Sequence, residues 1–221
     1  MKRSYLNFLI ADAKAAFRER GWILPPFADF PPPAWRCPEQ AELRRAMVGW
    51  DVTDFGSGDF ERVGLVLFTL RNGSLDDPGG LPYAEKLMLV REGQATPFHF
   101  HRQKMEDIIN RGGGNLIMRM HESTPEEGLS DAPVRVKLDG RTVEVAAGEE
   151  LRIRPGSSVT LRPYLYHTFW AERGARRVVV GEVSKVNDDR TDNRFLEPCG
   201  RFPAILEDEP ATAALVGEYA G

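Results

Sequence analysis

The sequence predicts a mostly β fold, a sandwich or barrel of short strands with helices packed against its outside. Three observations carry that prediction. From residue 61 onward, short runs rich in Val, Ile, Leu and Phe alternate with Gly, Pro and Asp turn signals, as antiparallel sandwiches and barrels require. Within them, Val134–Leu138 and Arg141–Val145 flank Asp139-Gly140, and Asp-Gly supplies the positive φ angles of a two-residue hairpin turn. Before residue 61 the period differs: Leu6, Leu9, Ala13, Ala16 and Phe17 recur three and four residues apart, which is helical spacing.

The elements follow in order. A first helix is expected over residues 4–20, with Ser4 as its N-cap and Gly21 as its stop. Its apolar stripe must be covered, and the outside of a β structure offers the surface. Pro25, Pro26, Pro31, Pro32, Pro33 and Pro38 make the next stretch an extended connector, because each removes a backbone donor and sets φ. A second helical run is expected from Glu39 to Val48, ended by Gly49. Strands are expected at Gly64–Leu70, Ala84–Arg91, Thr96–His101 and Asn115–Glu122, then at the hairpin pair. Glu150–Arg154, Ser158–Leu161, Tyr166–Ala171 and Arg177–Ser184 complete the set. The tail after residue 185 is dense in Asp, Asn and Arg. Such residues favour turns and caps, so it reads as a polar loop, either solvated or laid over a pocket as a lid. The expected organisation is a helical and Pro-rich extension over residues 1–60, and a β unit with its polar tail over 61–221, together one structural unit.

Composition narrows the function classes. The 221 residues are 42% hydrophobic and 28% charged, enough to bury a core without disulfide staples. A net charge of −4 leaves no basic face to neutralise phosphates, so no nucleic-acid partner is expected. Cys37 and Cys199 stand alone, outside any CxxC pattern, and suit free thiols in a reducing compartment. Asp12, Lys14, Arg18 and Glu19 interrupt the only N-terminal run that could open a leader. No stretch approaches the roughly 20 apolar residues of a membrane span. The expectation is a soluble cytoplasmic protein without membrane contact.

The chemistry concentrates in PFHFH. On a strand, His99 and His101 point to one face while Phe98 and Phe100 point to the other. Glu106 follows a short turn, and His167 lies in a later β-prone run, YHTFW. Three imidazoles and a carboxylate make a divalent-metal cage with open positions. The bland alternative is a pair of hydrogen-bonded histidines, which would not require the spacing found here. Gly93, five residues, His99-x-His101, four residues, Glu106, six residues and Gly113 resembles the first motif of the cupins, whose fold is a double-stranded β-helix or jelly-roll barrel. The stretch from Gly148 through Pro155-Gly156 to His167 is similar to the second motif, with altered spacing. His121 lies outside both and reads as a hydrogen bonder at a strand end.

More specifically, residues 86–115, with HFHRQKMEDIINRGGGN at 99–115, resemble the D-lyxose isomerase family, and so do residues 181–202. The likeness spans about residues 60–209. It implies aldose–ketose isomerisation of a free monosaccharide, D-lyxose to D-xylulose and in some members D-mannose to D-fructose. It implies a homodimer and one divalent ion of the Mn²⁺ type, with Zn²⁺, Fe²⁺ or Co²⁺ as alternatives, on His99, His101, Glu106 and His167. Lys104 and a distal glutamate, best matched by Glu197, become the acid–base candidates. Lys86 is a further candidate, and so is Glu182, which alternates with Val178, Val180 and Ser184 on one strand face.

These residue types suit the reaction, in which a carboxylate moves a proton between C1 and C2 and a lysine donates to a developing oxyanion; a hydride shift is the competing route. Arg201 reads as a hydroxyl contact or a surface ion-pair partner. Trp50 and Trp170 read as sugar-stacking or core residues. A cupin Fe(II) dioxygenase uses a similar ligand set, and a non-catalytic sugar-binding cupin is the third reading.

Overall fold

The computed structural model describes residues 1–219 apart from 76, 78, 187 and 201, with the backbone alone for 189 and 190. Thirteen strands are seen among the described residues. They are β1 (Gly49–Thr53), β2 (Leu65–Arg71), β3 (Tyr83–Arg91), β4 (His99–His101), β5 (Glu106–Asn110), β6 (Leu116–Glu122) and β7 (Val134–Leu138). β8 (Arg141–Val145), β9 (Leu151–Ile153), β10 (Ser158–Leu161), β11 (Leu165–Ala171), β12 (Arg177–Lys185) and β13 (Asn193–Phe195) follow. Every ladder is antiparallel. One sheet runs β1-β2-β3-β12-β5-β10-β7-β8 and the other β13-β4-β11-β6-β9. Buried side chains of both, among them Met88, Ile108, Met118, Leu165, Phe169 and Val180, form one core between the sheets. This is the expected cupin barrel.

The hairpin reads as expected: β7 pairs with β8 in register, and Asp139 and Gly140 take φ of 49° and 78°. The first helix, α1 (Arg3–Glu19), covers the outer face of β1, β2, β3 and β12. Leu6, Leu9, Ala13, Ala16 and Phe17 are completely buried there, against Trp50, Val52, Phe68, Leu87 and Leu89. Trp50 is a core residue, stacked on Phe17 with ring centroids 6.2 Å apart and donating its indole N–H to the Ala28 carbonyl at 2.9 Å. Trp170 lies under Arg119, 5.2 Å from its guanidinium.

Several sequence expectations are corrected. The Pro-rich stretch, expected to be extended, winds into 3₁₀ turns at Pro26–Asp29, Pro32–Arg36 and Pro38–Gln40. The N-cap position is Lys2, not Ser4. Ser4 is already helical, and its N–H and hydroxyl both donate to Asp208 from the other end of the chain, at 2.9 and 2.8 Å. The second helix shrinks to α2 (Ala41–Arg45), because Met47 turns to φ 55° and Gly49 opens β1. Gly49, at φ 118°, has no room for a side chain: a Cβ would meet the Tyr219 hydroxyl at 2.1 Å. Residues 106–110, where no strand is expected from the sequence, form β5, and the polar tail contributes both the short helix α3 (Asp189–Asp192) and β13. β1, from before residue 61, pairs with β2 along its whole length. Cys37 and Cys199 are both free thiols. No described helix is long and apolar enough to cross a membrane.

Because Leu9 is fully enclosed between α1 and the sheet, Leu9→Ala is expected to cost about 2–5 kcal/mol, read as a lowered midpoint in chemical denaturation.

Candidate metal centre and active-site cavity

Strand alternation does the first work. In β4 the Phe100 ring is fully buried, 4.8 Å from Tyr166 and 5.1 Å from Tyr164. His99 and His101 therefore face the opposite way, into the barrel. β11 pairs with β4 through His167 and His99 alone, which brings the third imidazole alongside the first, ring centroids 4.2 Å apart. One ligand atom from each of His99, His101 and His167 lies within 4.8 Å of the others. Glu106, first residue of β5, places Oε1 3.2 Å from Nε2 of His101 and 3.2 Å from Nε2 of His167.

The donors are oriented for a ligand. Nδ1 of His99 contacts the Pro97 carbonyl at 2.9 Å, and Nδ1 of His167 contacts the Leu165 carbonyl at 3.0 Å. A carbonyl only accepts, so each Nδ1 carries the proton and each Nε2 turns a lone pair inward. Nε2 of His101, Nε2 of His167 and Oε1 of Glu106 are buried and make no hydrogen bond. Buried polar atoms left without partners are costly, and a divalent cation satisfies all of them. Three nitrogens and one oxygen fit such an ion.

A chain of alternating charge runs away from this cluster. Lys104 Nζ lies 2.7 Å from Glu106 Oε2 and 3.2 Å from Glu182 Oε1. Glu182 Oε1 also receives Lys86 Nζ at 3.1 Å and the Ser184 hydroxyl at 2.9 Å. The register explains the assembly. Glu182 pairs with Lys86 across β12 and β3, and Ser184 with Glu106 across β12 and β5. Glu106, Lys104 and Glu182 are buried, and buried ion pairs repay their desolvation poorly as stability devices. Such a row is better explained by chemistry than by folding.

Burial alone would raise the Glu106 pKa; Lys104 and then His101 outweigh it, and the carboxyl is held well below its usual range. His99 is pushed well below the ordinary imidazole value by burial first, then by the neighbouring His167 and His101. His101 is lowered by burial and then by Lys104, against the opposing pull of Glu106. A deprotonated carboxylate and neutral imidazoles are the forms that bind metal.

A cavity of about 440 Å³ opens over these groups. It gathers His99, His101, Glu106, His167, Lys104, Lys86 and Glu182, all singled out from sequence. Glu197 is not among its lining residues and is exposed; the distal glutamate inside is Glu182. Trp50 and Trp170 do not line it either. His121 contacts the Ser130 carbonyl at 3.1 Å through Nδ1, near the end of β6, and Arg201 lies outside the described residues. The sequence reading missed Asp51, Thr53, Asn193 and Phe195, all on the cavity wall. The signal for the first two was alternation: Trp50 and Val52 face α1, so Asp51 and Thr53 face the cavity.

An antiparallel double-sheet barrel with a three-histidine group that could hold a metal ion defines the cupin fold class. A likeness to solved sugar isomerases supports the fold: the L-ribose isomerase of Cellulomonas parahominis superposes with a TM-score of 0.64 at 16% identity, covering 93% of this chain and 98% of its own. That of Acinetobacter sp. DL28, solved with L-ribose, gives 0.61 at 14% identity, covering 89% and 93%. The family model described as D-lyxose isomerase matches residues 1–219, and the chain belongs to that family. It is 51% identical to the D-lyxose/D-mannose isomerase of Serratia proteamaculans, covering 99% of this chain and 98% of the relative. To the D-lyxose/D-mannose isomerase of Escherichia coli O157:H7 it is 48% identical, with the same coverage.

The depressed imidazoles give a pH signature. Unfolded histidines take protons near pH 6.5, whereas His99 and His101 resist them. The unfolded chain then binds more protons, and stability rises with pH. The metal-free protein is therefore expected to lose stability as pH falls below about 6.5. His99→Gln, with no imidazole to titrate, should flatten that slope in denaturation curves recorded between pH 5 and 8.

Proposed function

We propose that this protein is a metal-dependent aldose–ketose isomerase that interconverts D-lyxose with D-xylulose, and D-mannose with D-fructose. His99, His101, Glu106 and His167 hold one divalent ion, foremost Mn²⁺, with Zn²⁺, Fe²⁺ and Co²⁺ as alternatives. The observation that carries the reading is the Lys86–Glu182–Lys104–Glu106 row of ion pairs beside the histidine cluster, inside a cavity. Relatives about half identical over their whole length, both named D-lyxose/D-mannose isomerase, support the substrates. The family resemblance supports a homodimer, and we place the protein in the cytoplasm.

When bound, the ion supplies Lewis-acid polarisation of a sugar carbonyl. The chain's own groups do the rest. Glu182 is the carboxylate that takes the proton from one carbon and returns it to the next. Lys86 and Lys104, both in contact with Glu182 Oε1, stabilise its charge and donate to the sugar oxygens between which protons pass. Leu65, Leu67, Met88 and Phe169 form the apolar wall, which keeps water from the intermediate.

Metal-stripped protein offered D-lyxose, D-mannose, D-xylose and D-ribose is expected to form ketose from the first two, and only after Mn²⁺ is restored. No ketose from any sugar at full metal occupancy would refute the assignment. Glu182→Gln should retain metal and lose roughly 10²–10⁴-fold in kcat, while Glu197→Gln stays within about twofold because its side chain lies outside the cavity. Solvent deuterium should enter C1 of the D-xylulose formed and C2 of D-lyxose re-isolated from the equilibrated mixture. Its complete absence would favour the hydride route.

A further inference from the structure

Strand β13 pairs with β4 so that Asn193 faces His101 and Phe195 faces His99. The Phe195 ring stands 5.5 Å from the His99 imidazole and 6.0 Å from Phe55 across the cavity edge. Asn193 lines the cavity between these groups. Its Oδ1 is buried and makes no hydrogen bond among the described residues. Burying an amide oxygen without a partner is unfavourable, yet nothing forces this residue to face inward for its own sake. The strand is held by its neighbours. Asp192 accepts the backbone N–H groups of Gln103 at 2.7 Å and Lys104 at 3.2 Å. Arg194 donates to Glu127 at 2.8 Å, and Glu127 accepts from Arg102 at 2.5 Å. Asn193 is thus positioned by contacts other than its own, with its hydrogen-bonding capacity turned toward the cavity.

We propose that Asn193 is a specificity-determining residue whose side-chain amide binds a hydroxyl of the sugar's polyol chain. The inference rests on the isomerase reading and names one of its substrate contacts. An amide accepts through Oδ1 and donates through Nδ2, and a hydroxyl also does both, so the two are complementary. Its wall neighbours Phe55 and Phe195 offer neither a donor nor an acceptor. A site that hydrogen-bonds a substrate hydroxyl discriminates strongly against a sugar that cannot fill it, because its own buried group is then left unpaired.

The test uses the full Mn²⁺-loaded protein with Asn193→Leu, an apolar replacement of the same branched shape, and Asn193→Ser, which supplies a hydroxyl that can donate and accept. For Asn193→Leu, kcat/KM on D-lyxose is expected to fall about 5- to 10-fold, the loss of one neutral hydrogen bond. Mn²⁺ affinity should stay within twofold and Tm should hold or rise, since a buried unpaired oxygen has been removed. Asn193→Ser should recover part of the loss. Unchanged kcat/KM in Asn193→Leu would overturn the proposal. So would a fall in Mn²⁺ affinity or Tm that accounts for the lost activity, because Asn193 would then be supporting the metal strand. If the wild type made no ketose, the isomerase reading would fail. Asn193 would still be decided by whether Asn193→Leu weakens D-lyxose binding in calorimetry.

Discussion

The Glu106 carboxylate is the interaction on which the rest of the site depends. One oxygen lies 3.2 Å from two imidazoles, and the other lies 2.7 Å from the Lys104 ammonium. A buried carboxylate in that position demands positive charge on both sides. Lys104 supplies it on one side, and the three histidines shape a place for a cation on the other. The two halves of the proposed chemistry, metal ligation and proton movement, therefore meet in one side chain. Glu182 extends the same logic to Lys86, so the charged groups form a single connected row across adjacent strands.

The barrel makes this arrangement affordable. Antiparallel pairing across β3, β12 and β5 sets the positions of Lys86, Glu182 and Glu106 through backbone hydrogen bonds rather than through the side chains themselves. The core between the sheets carries the stability. Helix α1 adds a second core on the outer face, locked at its start by Asp208 and by the buried Arg3, which pairs with Glu207 and Glu218. With stability drawn from apolar burial elsewhere, the cavity can keep polar atoms that a well-satisfied interior would exclude.

The cavity is completed from the two ends of the chain. β1 brings Asp51 and Thr53, and β13 brings Asn193 and Phe195 beside the histidine strand. Phe55 and Phe195 meet at the edge. These wall residues thus sit on the edge strands β1 and β13, around a histidine cluster built into the barrel.

Sequence alone determined the local features. Strand period two put His99 and His101 on one face, Asp139-Gly140 made the hairpin, and the three-to-four spacing of Leu6 to Phe17 made the first helix. The resemblance of the Gly93-to-Gly113 spacing to the cupin motif also singled out Glu106, which opens β5 a short turn after β4 although the two strands lie in different sheets. What the sequence did not disclose depended on distant partners. Asn193–Phe195 is polar and carries turn-forming neighbours, and it becomes a strand only because β4 presents an unpaired edge to it. Gly49 reads only as the stop of a helix, and Gly49–Thr53 becomes a strand because β2 pairs with it and Tyr219 closes over Gly49. Choosing Glu182 over Glu197 as the carboxylate in the cavity was likewise beyond the sequence. Both are glutamates near the end of the chain, and only the pairing of β12 with β3 and β5 turns Glu182 toward Lys86 and Lys104.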